Sequence, residues 1–181
     1  MRDPYLLAWL LGCLGMLGAA VWTDLRAARI PNGIVAAGLA LAVMLSLTPQ
    51  GGGLDRAVGG AVTGLSMLLP LYMLGVSGAG DAKLLTAVGA FVGFPAILGV
   101  ALTMFVAGGV LAIGWALHAR LLRESLRNLR DGALALMAQP SLSTLVSLRT
   151  SPRRIPYSLA IAVGALLQIW LDERFAALIP A

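Results

Sequence analysis

The chain has 181 residues, of which 59% are hydrophobic and only 12% are charged, and its mean hydropathy is +0.90. Soluble domains carry roughly twice this share of charge, so an ordinary water-soluble fold is excluded. The net charge is +5 and Cys13 is the only cysteine, which also excludes a disulfide framework and a cysteine metal site. We predict one integral membrane domain over residues 1–181, with Cys13 as a small packing residue.

Six apolar segments are predicted to cross the membrane as helices, because about 20 apolar residues span a bilayer. Gly93-Phe94-Pro95 divides the uncharged stretch from Leu84 to Ala119, since proline ends helices. The predicted fold class is therefore all-α and polytopic. The predicted spans are 4–23, 33–54 (fraying after 47), 57–76, a short 81–94, 96–117 and 155–171.

An insert at about 118–154 differs from the spans because it mixes leucines with arginines. Leucines and alanine recur at spacings of four and three, which predicts one apolar helical stripe: Leu122, Leu126, Leu129, Ala133 and Leu136. Arginines lie on another side of the same helix: Arg120, Arg123, Arg127 and Arg130. This pattern is typical of an amphipathic helix in the membrane interface, with its arginines near anionic lipid.

The basic residues predict the orientation. Ten of the 13 Lys and Arg residues lie in the connections between spans 1 and 2, 3 and 4, and 5 and 6. Cytoplasmic loops carry the excess of Lys and Arg, so we expect these connections in the cytoplasm and both termini outside.

This orientation brings two acids to one membrane face. Asp24 ends the first predicted span and Asp81 begins the fourth, and no other carboxylate lies at a cytoplasmic end of a span. A helix over 81–94 is only about 21 Å long, which would hold Asp81 below the boundary of a hydrocarbon core about 30 Å thick. Two close carboxyl groups share a proton, so one can activate water while the other polarises a carbonyl, without a metal.

Simpler roles remain open for each residue. Asp81 can cap its helix after a Gly-x-Gly turn, and Asp24 can be an interfacial charge offset by Arg26. Lys83 can anchor the interface, favour an ionised Asp81 or meet an acidic group of a substrate. Pro31 and Asn32 form a turn into the second helix. Gly78 and Gly80 permit a tight turn and the close approach of another backbone.

Three stretches resemble the type IV prepilin peptidase family of intramembrane aspartic proteases. The first runs from Asp24 through five residues to Ile30-Pro31-Asn32, and the second is Gly78-Ala-Gly80-Asp81-Ala-Lys83-Leu. The third, Arg154-Ile-Pro156-Tyr157, is similar to the family's entry to a final helix.

The resemblance implies that Asp24 and Asp81 are the catalytic pair, with Gly78, Gly80, Lys83, Pro31 and Asn32 in the active-site loops. It implies a bacterial inner-membrane endopeptidase that removes the basic leader of a prepilin at the cytoplasmic face. We expect no cofactor, metal or nucleic acid. The compact form looks like the peptidases of Flp or tight-adherence pili. Long members carry paired Cys-x-x-Cys motifs linked to N-methylation, and this chain has Cys13 alone, so methyltransferase activity is not expected.

Three alternatives stay open. An archaeal preflagellin peptidase has a similar plan. A small proton-coupled transporter or channel could use Asp24 and Asp81 as ion sites, although such proteins often show two related halves and this sequence shows none. A catalytically inactive assembly subunit is the third, and a leader-cleavage assay separates it from a peptidase.

Overall fold

The structure is a computed structural model that describes residues 4–73, 77–118, 127, 130 and 157–172. Over these ranges the chain is helical and has no strand, which confirms the all-α class. Arg127 and Arg130 are helical and exposed, and the rest of the predicted amphipathic segment lies outside the described residues. The helices are α1 (Pro4–Ala27), α2 (Asn32–Ser46), α3 (Leu54–Met73), α4 (Ala79–Val92), α5 (Ile97–His118) and α6 (Tyr157–Leu171).

Several helix ends differ from the predicted ones. Helix α1 continues beyond Thr23 to Ala27, where the N–H of Ala28 bonds to the Asp24 carbonyl at 2.8 Å. Polar residues can extend a helix past its apolar stretch, so Asp24 lies in the last turn of α1 rather than after it. Helix α2 ends at Ser46 and the backbone turns at Leu47, which confirms the fraying predicted after residue 47. The span does not reach the predicted residue 54, where α3 begins.

Helix α4 is the centre of the bundle and contacts each of the other five helices. From Asp81 to Val92 all of its residues are buried except Lys83 and Thr86. Such a short, apolar helix can be stable because its neighbours cover every side. The break predicted at Gly93-Phe94-Pro95 is confirmed, since α4 ends at Val92 and α5 begins at Ile97.

Trp9 of α1 packs against α4 near the C-terminal end of α4. Its indole Nε1 donates to the Phe91 carbonyl at 2.9 Å, and the two rings meet edge to face with centroids 5.8 Å apart. Trp9 is near the start of α1 whereas Phe91 is near the end of α4, so the two helices run antiparallel. The end of α1 and the start of α4 consequently lie at the same end of the bundle, and these ends carry Asp24 and Asp81.

Glycines let several helices approach closely. A Cβ at Gly60 of α3 would overlap the Gly89 carbonyl oxygen of α4, and a Cβ at Gly64 would lie 2.6 Å from the Leu85 carbonyl oxygen. Between α5 and α6, a Cβ at Gly164 would lie 2.5 Å from the Val100 carbonyl oxygen. Gly60 and Gly64 therefore act as packing residues between α3 and α4. No described atom lies within 4 Å of a Cβ added at Gly15, Gly18 or Gly109.

Within the described residues, two helices meet the length and hydropathy expected of a membrane span, namely Pro4–Ala27 and the first 18 residues of α5, Ile97–Gly114. Helices α2 and α6 are apolar but have 15 residues each. The six-span arrangement therefore stays a prediction.

Candidate functional site

Asp24 lies half-buried in the last turn of α1. Its Oδ2 accepts a hydrogen bond of 2.5 Å from the hydroxyl of Ser158, the second residue of α6. Ser158 is wholly buried, so water does not compete for this bond.

Asp81 is the third residue of α4 and is only 8% exposed. Its Oδ2 accepts the backbone N–H of Gly78 at 2.9 Å, so the side chain reaches back to cap the helix that carries it. Asp81 therefore caps the helix from its third position, whereas the sequence suggested Asp81 itself as the N-cap residue and the structure has Gly78 there. This hydrogen bond also fixes the carboxyl group relative to the Gly78-Ala-Gly80 turn, which is the kind of support that a reactive group needs.

The two sequence motifs contact each other at the start of α4. Lys83 donates a hydrogen bond of 3.1 Å from Nζ to Oδ1 of Asn32, and both residues are exposed. A Cβ at Gly80 would lie 3.1 Å from Cβ of the buried Ile30. The lack of a side chain at Gly80 thus lets the Ile30 side chain approach closely, whereas the sequence predicted the close approach of a second backbone.

The predicted turn into α2 is confirmed. Pro31 takes an extended conformation with φ −62° and ψ 132°, and Asn32 is the first residue of the helix. The proline fixes φ at the value that this position requires. The turn holds Ile30 and Asn32 against the first turn of α4, next to Asp81.

Helix α6 relates the two aspartates to each other. Ser158 bonds to Asp24, and α6 also packs against α4, the helix that carries Asp81. Helices α1, α4 and α6 also contact one another pairwise. The first turn of α6 is therefore a third wall of the site.

Sequence reasoning singled out Tyr157 as part of a motif but missed Ser158. The available signal was weak: a polar side chain at the predicted cytoplasmic end of an apolar span. Serine is common in membrane helices as a small packing residue, so its type and position do not reveal a bond to a carboxylate 134 residues away.

Arg26 does not pair with Asp24, although the sequence allowed the charge of Arg26 to offset that of Asp24. Its guanidinium lies 3.9 Å from the ring centroid of Trp22, and no ion pair joins it to Asp24 in this described part of the chain. Among the described residues, no three side chains of the metal-binding types His, Cys, Asp and Glu cluster as metal ligands would. The chemical groups at this end of the bundle include the carboxyl groups of Asp24 and Asp81, the hydroxyl of Ser158 and the ammonium of Lys83.

The fold is an apolar helical bundle that holds two carboxyl groups at one end. These features define a class of protein that can carry out acid–base chemistry beside a membrane. The family model of the type IV leader peptidase family matches residues 11–113, more than half of the chain and both aspartates, and the chain belongs to this family. No curated protein and no solved structure matches it. Membership makes the chain a membrane-associated, leader-peptidase-like protease that acts on prepilin-like substrates.

Proposed function

We propose that the chain is an intramembrane aspartic endopeptidase and that Asp24 and Asp81 are its catalytic pair. The observation that carries this proposal is the placement of both acids at the end of the bundle where α1, α4 and α6 contact one another, with Asp24 bonded to Ser158 of α6. Two features add support: the antiparallel arrangement of α1 and α4, and the burial of Asp81. The peptidase family favours this function over the transporter hypothesis.

In the proposed reaction the pair holds one proton. The ionised carboxyl group takes a proton from a water molecule, whose oxygen attacks the scissile carbonyl carbon, while the protonated group donates to the carbonyl oxygen. The tetrahedral intermediate then collapses, the C–N bond breaks, and the amide nitrogen leaves with a proton from the pair. The products are a leader carboxylate and a new amino terminus, and one water is consumed.

The membrane arrangement that suits this chemistry has six spans, with the site at the cytoplasmic face and both termini outside. Helix α4 has 14 residues, a length of about 21 Å, so Asp81 would lie below the surface of a hydrocarbon core about 30 Å thick. There a water-accessible notch lined by α1, α4 and α6 would receive an extended peptide.

The proposed substrate is a Flp-type prepilin, whose short basic leader lies at the cytoplasmic surface before an apolar helix. Lys83 and Asn32 would border the entrance, since both are exposed, Lys83 lies two residues after Asp81 and Asn32 lies eight residues after Asp24. Arg120, Arg123, Arg127 and Arg130 would hold the insert at anionic lipid.

Reconstitution tests this function. The purified protein in liposomes is mixed with a Flp-type prepilin, and mass spectrometry follows the precursor and the released leader. We expect a single cut at the boundary between the leader and the apolar helix. A precursor that remains intact with several prepilins of this type, in a preparation that is folded by circular dichroism, would overturn the proposal.

A further inference from the structure

We infer that Ser158 is a positioning residue for Asp24, so that a third helix sets the geometry of the aspartate pair. This inference rests on the proposed function. Ser158 lies outside residues 11–113, the range that the family model matches, and it belongs to none of the three sequence motifs. Its role is derived from its bonding and its burial.

The hydroxyl of Ser158 behaves differently from other helix hydroxyls in this protein. Four of them donate to a carbonyl oxygen three or four residues earlier in their own helix: Thr23, Ser46, Ser66 and Thr86. Ser158 donates across the bundle instead. It is the second residue of α6, so no earlier turn of that helix offers it an acceptor. A serine hydroxyl has a single proton, and here that proton is committed to Asp24.

This bond fixes the Asp24 side chain. The hydroxyl is 0% exposed, so water cannot take its place without a local rearrangement. With Oδ2 held by Ser158, we expect Oδ1 of Asp24 to face the attacking water. A carboxyl group without this support can rotate about its side-chain torsions, and small misplacements of a catalytic group lower the rate strongly.

Helix α6 is itself held firmly, which makes Ser158 a rigid support. A Cβ at Gly108 of α5 would lie 3.3 Å from the Tyr157 ring, and the lack of a side chain there lets the ring pack onto α5. Two turns further along, Gly164 lies directly against the Val100 carbonyl. The register of α6 along α5 therefore places Ser158 beside Asp24.

The test compares Ser158→Ala, Ser158→Thr and the matched control Ser46→Ala, a buried helical serine that bonds to its own helix. Each purified variant cleaves a Flp-type prepilin in liposomes, and kcat and KM are measured separately. We expect Ser158→Ala to lower kcat about 10- to 100-fold with KM nearly unchanged, because positioning acts in the transition state. Ser158→Thr should recover much of the loss, and Ser46→Ala should resemble the unmodified protein.

Thermal unfolding of each variant shows whether it is folded. A folded Ser158→Ala with an unchanged or raised kcat would overturn the inference, as would equal losses in Ser158→Ala and Ser46→Ala. If Ser158→Ala does not fold, Ser158→Thr provides the test, because it keeps the hydroxyl. A folded Ser158→Thr that cleaves the prepilin as slowly as Asp24→Asn would contradict the role of the hydroxyl. An Asp24→Asn variant separates the two claims. Full activity of Asp24→Asn would refute the proposed function itself. Loss of activity in Asp24→Asn together with normal activity in Ser158→Ala would refute only the positioning role of Ser158.

Discussion

Lys83 of α4 and Asn32 of α2 are joined by a hydrogen bond of 3.1 Å, although 51 residues separate them in the chain. Each belongs to a different motif, so this bond brings the Ile-Pro-Asn turn and the Gly-x-Gly-Asp turn together. Lys83 is two residues from Asp81, and the bond consequently braces the first turn of the helix that presents this acid.

Replacing Lys83 by Met should slow leader cleavage several-fold while changing the free energy of unfolding by less than about 1 kcal/mol, since the bond is exposed. Arg at this position keeps a donor and should retain most of the rate. Initial cleavage rates of the single and double variants of Lys83 and Asn32 provide the check. Strictly additive losses would show that the two residues act independently.

Substituting Val for Gly60 should destabilise the protein by at least about 2 kcal/mol, because the new side chain would overlap the backbone of α4 at Gly89. Gly15→Ala is the matched control. No described atom lies within 4 Å of a Cβ there, and alanine favours a helix over glycine by about 0.5–1 kcal/mol. Thermal unfolding in detergent measures both. Equal stability of Gly60→Val and the unmodified protein would refute the proposed close contact of α3 and α4.

Ala28 follows α1 with φ at +48°, in the left-handed region that L-residues with a Cβ disfavour. Glycine takes this conformation without that cost, so Ala28→Gly should raise the free energy of unfolding by about 0.5–1 kcal/mol. The opposite change, Ala28→Val, should lower it. Denaturation of both variants gives the comparison, and a glycine variant that is less stable would contradict the strained turn after Asp24.

Much of the helical plan follows from the sequence because long apolar segments bounded by charges and by Gly-Phe-Pro have few other solutions. The end of α1 does not, since polar residues can continue a helix past its apolar stretch. The central position of α4 was not predicted either. It depends on small residues such as Gly60, Gly64 and Gly89, whose close packing is set by partners far away in the chain.

For the candidate site, the distribution of basic residues and the order of the helices predict that Asp24 and Asp81 lie at one end of the bundle. The bonds that support them are less accessible to such reasoning. The link from Ser158 to Asp24 depends on the rotation of α6 against α1, and no local pattern encodes that rotation. The bond between Lys83 and Asn32 likewise depends on the packing of α2 against α4.

The most direct measurement is the cleavage rate of a Flp-type prepilin by Asp24→Asn, Asp81→Asn and the double variant in liposomes. If the two carboxyl groups act as one catalytic unit, each single variant should lose at least about 100-fold in rate. The double variant should be no worse than either one. Asp55→Asn, which changes an exposed acid in the first turn of α3, should leave the rate unchanged. Wild-type cleavage by a folded Asp24→Asn or Asp81→Asn variant would contradict the catalytic pair.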